Sequence, residues 1–92
     1  MKPSEIEMAN FLESLKAPQS RRIVDILHET PLTEIQLIKK SKLSKRSIEL
    51  HVHPLIQAKL VVKKKQESSI HYSLNKKLLE RNADWFAKFL SN

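Results

Sequence analysis

Between residues 42 and 66 the chain gathers side chains that bind phosphate and read base edges. Lys42, Lys45, Arg46, Lys63, Lys64 and Lys65 are cations, and Ser44, Ser47 and Gln66 carry hydrogen-bonding groups. Glu49, Leu50 and His53 stand among them. A lysine offers phosphate a point charge, whereas the planar fork of an arginine matches the O6 and N7 acceptors of guanine. Arg46 is therefore expected to specify sequence, and the lysines to hold the chain on a nucleic-acid backbone. Glu49 can accept from a cytosine amino group and Leu50 can meet a thymine methyl. Ser44 and Ser47 offer hydroxyls, and the amino terminus of a helix beginning here offers free N–H groups.

The charge distribution points the same way. The net charge of +7 and pI near 9.9 are not spread evenly. Residues 1–38 carry four basic and six acidic side chains, residues 39–65 nine and one, and residues 66–92 four and three. The whole excess sits in the central block, as expected for a surface that meets a polyanion. Lys39 and Lys40 open that block.

Other chemistries find little support. The chain has no cysteine, hence no disulfide, thiolate metal site or thiol nucleophile. It has no glycine either, where average usage of about 7% predicts about six, so no phosphate-cradling glycine loop is available. Turns must be made by Asn, Ser, Lys or Pro. His51 and His53, two apart on a helix, point to different faces and do not make a metal pair. His51 reads as a packed edge residue, and His28 and His71 as isolated histidines. No Ser-His-Asp grouping is visible. The expectation is a protein that is not an enzyme, with no cofactor and no metal. No apolar run approaches the roughly 20 residues of a bilayer span, and no signal-peptide core follows the amino terminus, so a cytoplasmic chain is expected.

The elements that must position these side chains follow from capping and periodicity. Ser4-x-x-Glu7 reads as a capping box opening a first helix, 4–16, with Ile6, Met8, Phe11, Leu12 and Leu15 at helical spacing. Pro18 begins a second helix, about 18–29, whose stripe is Ile23, Val24, Ile26 and Leu27. Thr30-Pro31 ends it. Thr33-x-x-Gln36 caps a third, about 33–40, with Ile35 and Ile38 facing in. After the turn Ser41-Lys42-Leu43, Ser44 caps a fourth, about 45–58, with Ile48, Val52, Leu55 and Ile56 inward. The runs Leu60 to Gln66 and Ile70 to Leu74 form a hairpin across Glu67-Ser68-Ser69. A last helix, about 76–90, follows Asn75. The fold expected is a single domain over residues 1–92: mainly α with a small β-hairpin, a winged helix-turn-helix in the order α-α-α-α-β-β-α. The second helix of its helix-turn-helix is the reader.

A chain this small is often stabilised by association. Helices 4–16 and 76–90 are expected to dimerise through Phe11, Leu12, Leu15, Leu78, Leu79, Trp85, Phe86 and Phe89.

The chain resembles the ArsR-type winged helix-turn-helix repressors. Leu15-Lys16-Ala17-Pro18-Gln19-Ser20-Arg21-Arg22-Ile23-Val24-Asp25-Ile26-Leu27 is similar to their second-helix signature, and Leu32-Thr33-Glu34-Ile35 to the start of their third helix. Leu43-Ser44 through Leu60-Val61 resembles their recognition helix, with His51, Leu55, Ala58, Leu60 and Val61 in register. Ile70-His71-Tyr72-Ser73-Leu74 resembles their closing wing strand. The resemblance implies a homodimer on a palindromic operator, with the terminal helices as its interface. Metal-sensing members carry Cys-x-Cys in the third helix or a His/Asp cluster in the last. Here the third helix reads Glu34-Ile35-Gln36-Leu37-Ile38 and the last has no histidine, so metal sensing is not expected.

Three departures stand out. Lys59 occupies a helix-end position where the family prefers Gly, which predicts a positive φ there. Pro54 lies inside the reading helix and predicts a kink near Leu50 to Pro54. Glu49 replaces a small or polar residue. The function expected is a sequence-specific duplex-DNA-binding transcriptional regulator, a dimeric repressor acting by promoter occlusion. The alternative, favoured by Glu49 and Pro54, is a winged-helix protein–protein interaction module in a larger transcription-related complex. A small apolar effector in a cleft lined by Trp85 and Phe89 is compatible with either.

Overall fold

The computed structural model describes residues 2–91. Its elements run α1 Glu5–Ser14, α2 Pro18–Glu29, β1 Leu32–Thr33, α3 Glu34–Ser41, α4 Lys45–Gln57, β2 Val61–Gln66, β3 Ser69–Leu74 and α5 Lys76–Ser91. The helices and hairpin fall within two residues of their expected bounds. The addition is β1, which pairs antiparallel with β3 through Leu32 opposite Tyr72 and Thr33 opposite His71. The sheet therefore has three strands, in the order β1-β3-β2. A two-residue strand has no periodicity to detect in sequence.

One core holds the elements together. Ile23 and Leu27 of α2, Leu37 of α3, and Ile48, Val52 and Leu55 of α4 are buried with Leu60, Val61 and Tyr72. Met8 and Phe11 of α1 and Leu78 of α5 close the same cluster. Phe11 and Leu78, expected at a dimer interface, are thus core residues of this chain. Each lies under 10% exposed, because α1 and α5 must first cover the helix-turn-helix beneath them. Ile35, expected to face in, is 66% exposed. α3 instead packs with Leu37 and Ser41, about one turn apart, pointing inward. Ile6, counted in the α1 stripe, is also exposed.

The caps show why the helices begin where they do. Thr33 and Gln36 form a full capping box, each side chain taking the other's backbone N–H. Ser44 accepts from Ser47 N at 3.1 Å. At α1 only half of the box is present. Ser4 accepts from Glu7 N at 3.0 Å, but the Glu7 carboxylate turns away to Arg81 and Asn82 of α5. Asn75 opens α5 by accepting from Leu78 N, and its amide donates to the Lys59 carbonyl.

With no glycine in the chain, three of the described residues adopt positive φ: Lys42 at 62°, Lys59 at 62° and Glu67 at 56°. At the end of α4, Leu60 N bonds Leu55 O and Lys59 N bonds Ile56 O. This is the Schellman arrangement with lysine at the position glycine usually takes. A cation at a helix carboxyl end is favoured by the helix dipole, which offsets part of the steric penalty. Pro54 does not end α4, which continues as helix to Gln57.

Candidate nucleic-acid interface

The turn between α3 and α4 is fixed from several sides. Lys42 takes the left-handed conformation and donates its N–H to Ile38 O at 2.9 Å. Leu43 N donates to the Ser41 hydroxyl, which in turn donates to Ile38 O. From α2, Arg22 Nε donates to the Ser41 carbonyl at 3.2 Å, satisfying one of the free acceptors at the end of α3. The Arg22–Ser41 pairing was not among the sequence expectations. Their partnership spans 19 positions and has no local signature.

Helix α4 buries Ile48, Val52 and Leu55 and turns the opposite face to solvent. Lys45, Arg46, Glu49, Leu50 and His53 are all exposed, Leu50 by 66%. Ser44 keeps its hydroxyl hydrogen free while its oxygen caps the helix. Ser47 is half-buried, with its hydroxyl 3.3 Å from His51 Nδ1 and its carbonyl 2.9 Å from the same nitrogen. His51 is therefore tied to its own helix at the edge of the core, and Ser47 is less available than its neighbours.

Beyond Val61 every residue of β2 is exposed, including Lys63, Lys64, Lys65 and Gln66. β2 is an edge strand, paired only with β3, and lysines are a common way of protecting such an edge. The wing lies beside the reading helix. Lys63 shares a groove with Glu49, His53 and Tyr72, and Lys45 shares another with Ser68, Ser69 and the start of α3. Lys42 is exposed at the turn. Lys40 reaches Glu29 at 3.9 Å across solvent, an ion pair of little energetic weight. The basic block thus exposes cations at the turn, on the outer face of α4 and along the wing, where Lys63 and Lys65 share one face of the strand and Lys64 takes the other.

On another side of the molecule, Trp85 and Phe89 of α5 stack with centroids 5.7 Å apart. Phe89 and Leu90 are exposed, as is Leu12 on α1, while Leu15, Leu79, Trp85 and Phe86 are half-buried. Trp85 and Leu12 also line a cleft with Lys2, Pro3 and Met8. Among the described residues, no group of three or more His, Asp or Glu comes together as a metal site, and no helix is long and apolar enough to cross a membrane.

A helix-turn-helix with a lysine-bearing hairpin beside its second helix defines a winged helix-turn-helix. Known proteins agree. No family model matches the chain. It is 29% identical over 84 residues to the transcriptional repressor SdpR of Bacillus subtilis, covering 91% of this chain and 93% of that protein. Among solved structures, an ArsR-like transcriptional regulator from Rhodococcus sp. RHA1 superposes with a TM-score of 0.81 at 20% identity. That match covers 94% of this chain and 81% of the other. NolR from Sinorhizobium fredii matches with a TM-score of 0.70 at 25% identity, over 87% of this chain and 88% of its own. The chain has the ArsR-type winged helix-turn-helix fold, and the proteins it resembles include ArsR-type transcriptional regulators and a transcriptional repressor.

Proposed function

We propose that this chain is a sequence-specific duplex-DNA-binding transcriptional regulator, working as a homodimeric repressor that occludes a promoter. The observation that carries the reading is the set of exposed cations on the turn, the reading helix and the wing beside it. The reading helix exposes Lys45 and Arg46, and the wing beside it exposes Lys63, Lys64 and Lys65. Helix α4 enters a major groove, Arg46 takes a guanine edge, and the wing lysines follow the adjacent backbone or minor groove. The likeness to a repressor of matching length supports the regulatory role.

Dimerisation is inferred from the apolar side chains left on α1 and α5. Leu12, Leu15, Leu79, Trp85, Phe86 and Phe89 are the residues assigned to it. A two-fold dimer would set two copies of α4 about 34–36 Å apart, one turn of duplex, on a palindromic site. The test is binding to duplex DNA across salt. Lys64→Ala should weaken all sequences about equally and lower the salt slope by about 1. Arg46→Ala should weaken the preferred site about tenfold to a hundredfold and relax its specificity. Equal small effects of both on every sequence would contradict the assignment of roles.

A second reading, a protein-interaction module, is favoured by one observation. Ile35 and Leu50 are each 66% exposed on the helix-turn-helix, and Glu49 stands beside Leu50. Stoichiometric capture of a protein partner, unchanged by Lys45→Glu and Arg46→Glu, with no duplex binding, would select it.

A further inference from the structure

The wing lysines and the reading helix can act together only if the hairpin is held at a fixed angle to α4. Along β2 and β3 going outward from the core, Tyr72 is the last fully buried side chain. It occupies the central strand, with Leu32 of β1 and Lys63 of β2 as its cross-strand partners. Lys64, Lys65 and Gln66 all lie beyond it toward the tip, exposed to solvent. The Tyr72 hydroxyl donates to Glu34 Oε2 at 3.2 Å. Glu34 is the first residue of α3, so this one bond joins the wing to the helix-turn-helix across 38 positions of sequence.

We propose that Tyr72 and Glu34 are positioning residues that clasp the wing to the helix-turn-helix, so that phosphate contact by the wing and base reading by α4 are coupled. The inference rests on the DNA-binding reading above. The geometry makes the hydroxyl the only polar hold on the outer half of the hairpin among the side-chain hydrogen bonds of the described residues. Its ring packs in the core and β3 stays paired with β1 at the start of α3, so the sheet persists without the hydroxyl, but no side-chain hydrogen bond then fixes the angle of the outer hairpin to α3. Apolar packing is non-directional, whereas a hydrogen bond to a carboxylate is both directional and charge-assisted. Burial, followed by the charge of Glu34, holds the phenol well above its ordinary range, and Glu49 adds to this. The hydroxyl therefore remains a donor at any pH at which the protein would be assayed.

The experiment compares wild type, Tyr72→Phe, Glu34→Ala and Glu34→Gln for binding to a preferred duplex and to a random duplex. Each is repeated with the wing variant Lys64→Ala/Lys65→Ala, and folding is checked by thermal melting. The clasp predicts that Tyr72→Phe and Glu34→Ala each lower the ratio of specific to random affinity about threefold to tenfold, within the range for residues sharing a network. Glu34→Gln, which keeps an acceptor, should stay close to wild type. Removing the wing lysines should weaken binding less in the Tyr72→Phe background than in wild type. Unchanged ratios in both Tyr72→Phe and Glu34→Ala, with additive wing effects, would overturn the clasp while leaving the DNA-binding reading intact. Failure of the wild type to bind any duplex would remove that reading and the clasp with it.

Discussion

At the scale of single residues, the absence of glycine leaves measurable strain. Lys59 holds a left-handed conformation that costs a residue with a Cβ about 1–2 kcal/mol. Lys59→Gly relieves that clash but gains unfolded-state entropy and loses a favourable charge at the end of α4. The net expectation is a small stabilisation, under about 1 kcal/mol, read as a rise in melting temperature. An unchanged or lower melting temperature would mean that the lysine side chain offsets its own strain. Glu7 gives a second prediction. The Arg81 hydrogen bonds hold its carboxyl below the ordinary value of 4.5, against the opposing effect of burial, and Asn82 adds to them. A depressed folded pKa contributes stability that is present above 4.5 and lost as pH falls through the lower folded value. Glu7→Gln should therefore be less stable than wild type at neutral pH, with the gap narrowing as the solution is acidified below 4.5. A gap independent of pH in denaturant titrations would rule out this role. Asn82 sits beside this pair with its Oδ1 buried and unpartnered among the described residues, and we have no physical account of that oxygen.

At the scale of elements, the helices were readable because their signals are local. Thr33-x-x-Gln36, Ser44 and Pro18 each mark a start within four residues of sequence, and the structure places all three at or next to a helix's first residue. The positive φ of Lys59 was readable through the resemblance, in which that helix end prefers Gly. What could not be read depends on distant partners. Glu7 fits a capping box by spacing, yet Arg81 and Asn82, more than 70 positions away, compete for its carboxylate and win. Leu37 and Ile35 differ in burial because of what α3 packs against, which an eight-residue helix does not announce. The outward residues of α4 and β2 were legible from charge, because burial excludes unpaired lysine and arginine. The Tyr72–Glu34 bond had no sequence signal at all. It needs β1, an element two residues long, to bring α3 under the wing.

At the scale of the whole molecule, the shape is elongated, 45 × 24 × 22 Å, with an apolar stripe on the outer half of α5 and a basic surface around α4. Helix α5 buries only Leu78 and Asn82, both in its first half, so Leu90 and Phe89, the latter stacked on Trp85 of the same helix, stay exposed. For the proposed dimer, Phe89→Asp should shift the protein from dimer to monomer in light scattering and weaken operator binding at least about tenfold, because two linked half-sites become one. A mass identical to wild type would remove α5 from the interface. The most direct test of the central claim is fluorescence anisotropy of the wild-type protein on its own promoter duplex and on a random duplex, titrated across salt. The account predicts clear preference for the promoter and a steep loss of affinity, about a thousandfold or more between roughly 50 and 200 mM salt, as several phosphate contacts release counterions. Binding that is absent, or weak and indifferent to both sequence and salt, would contradict it.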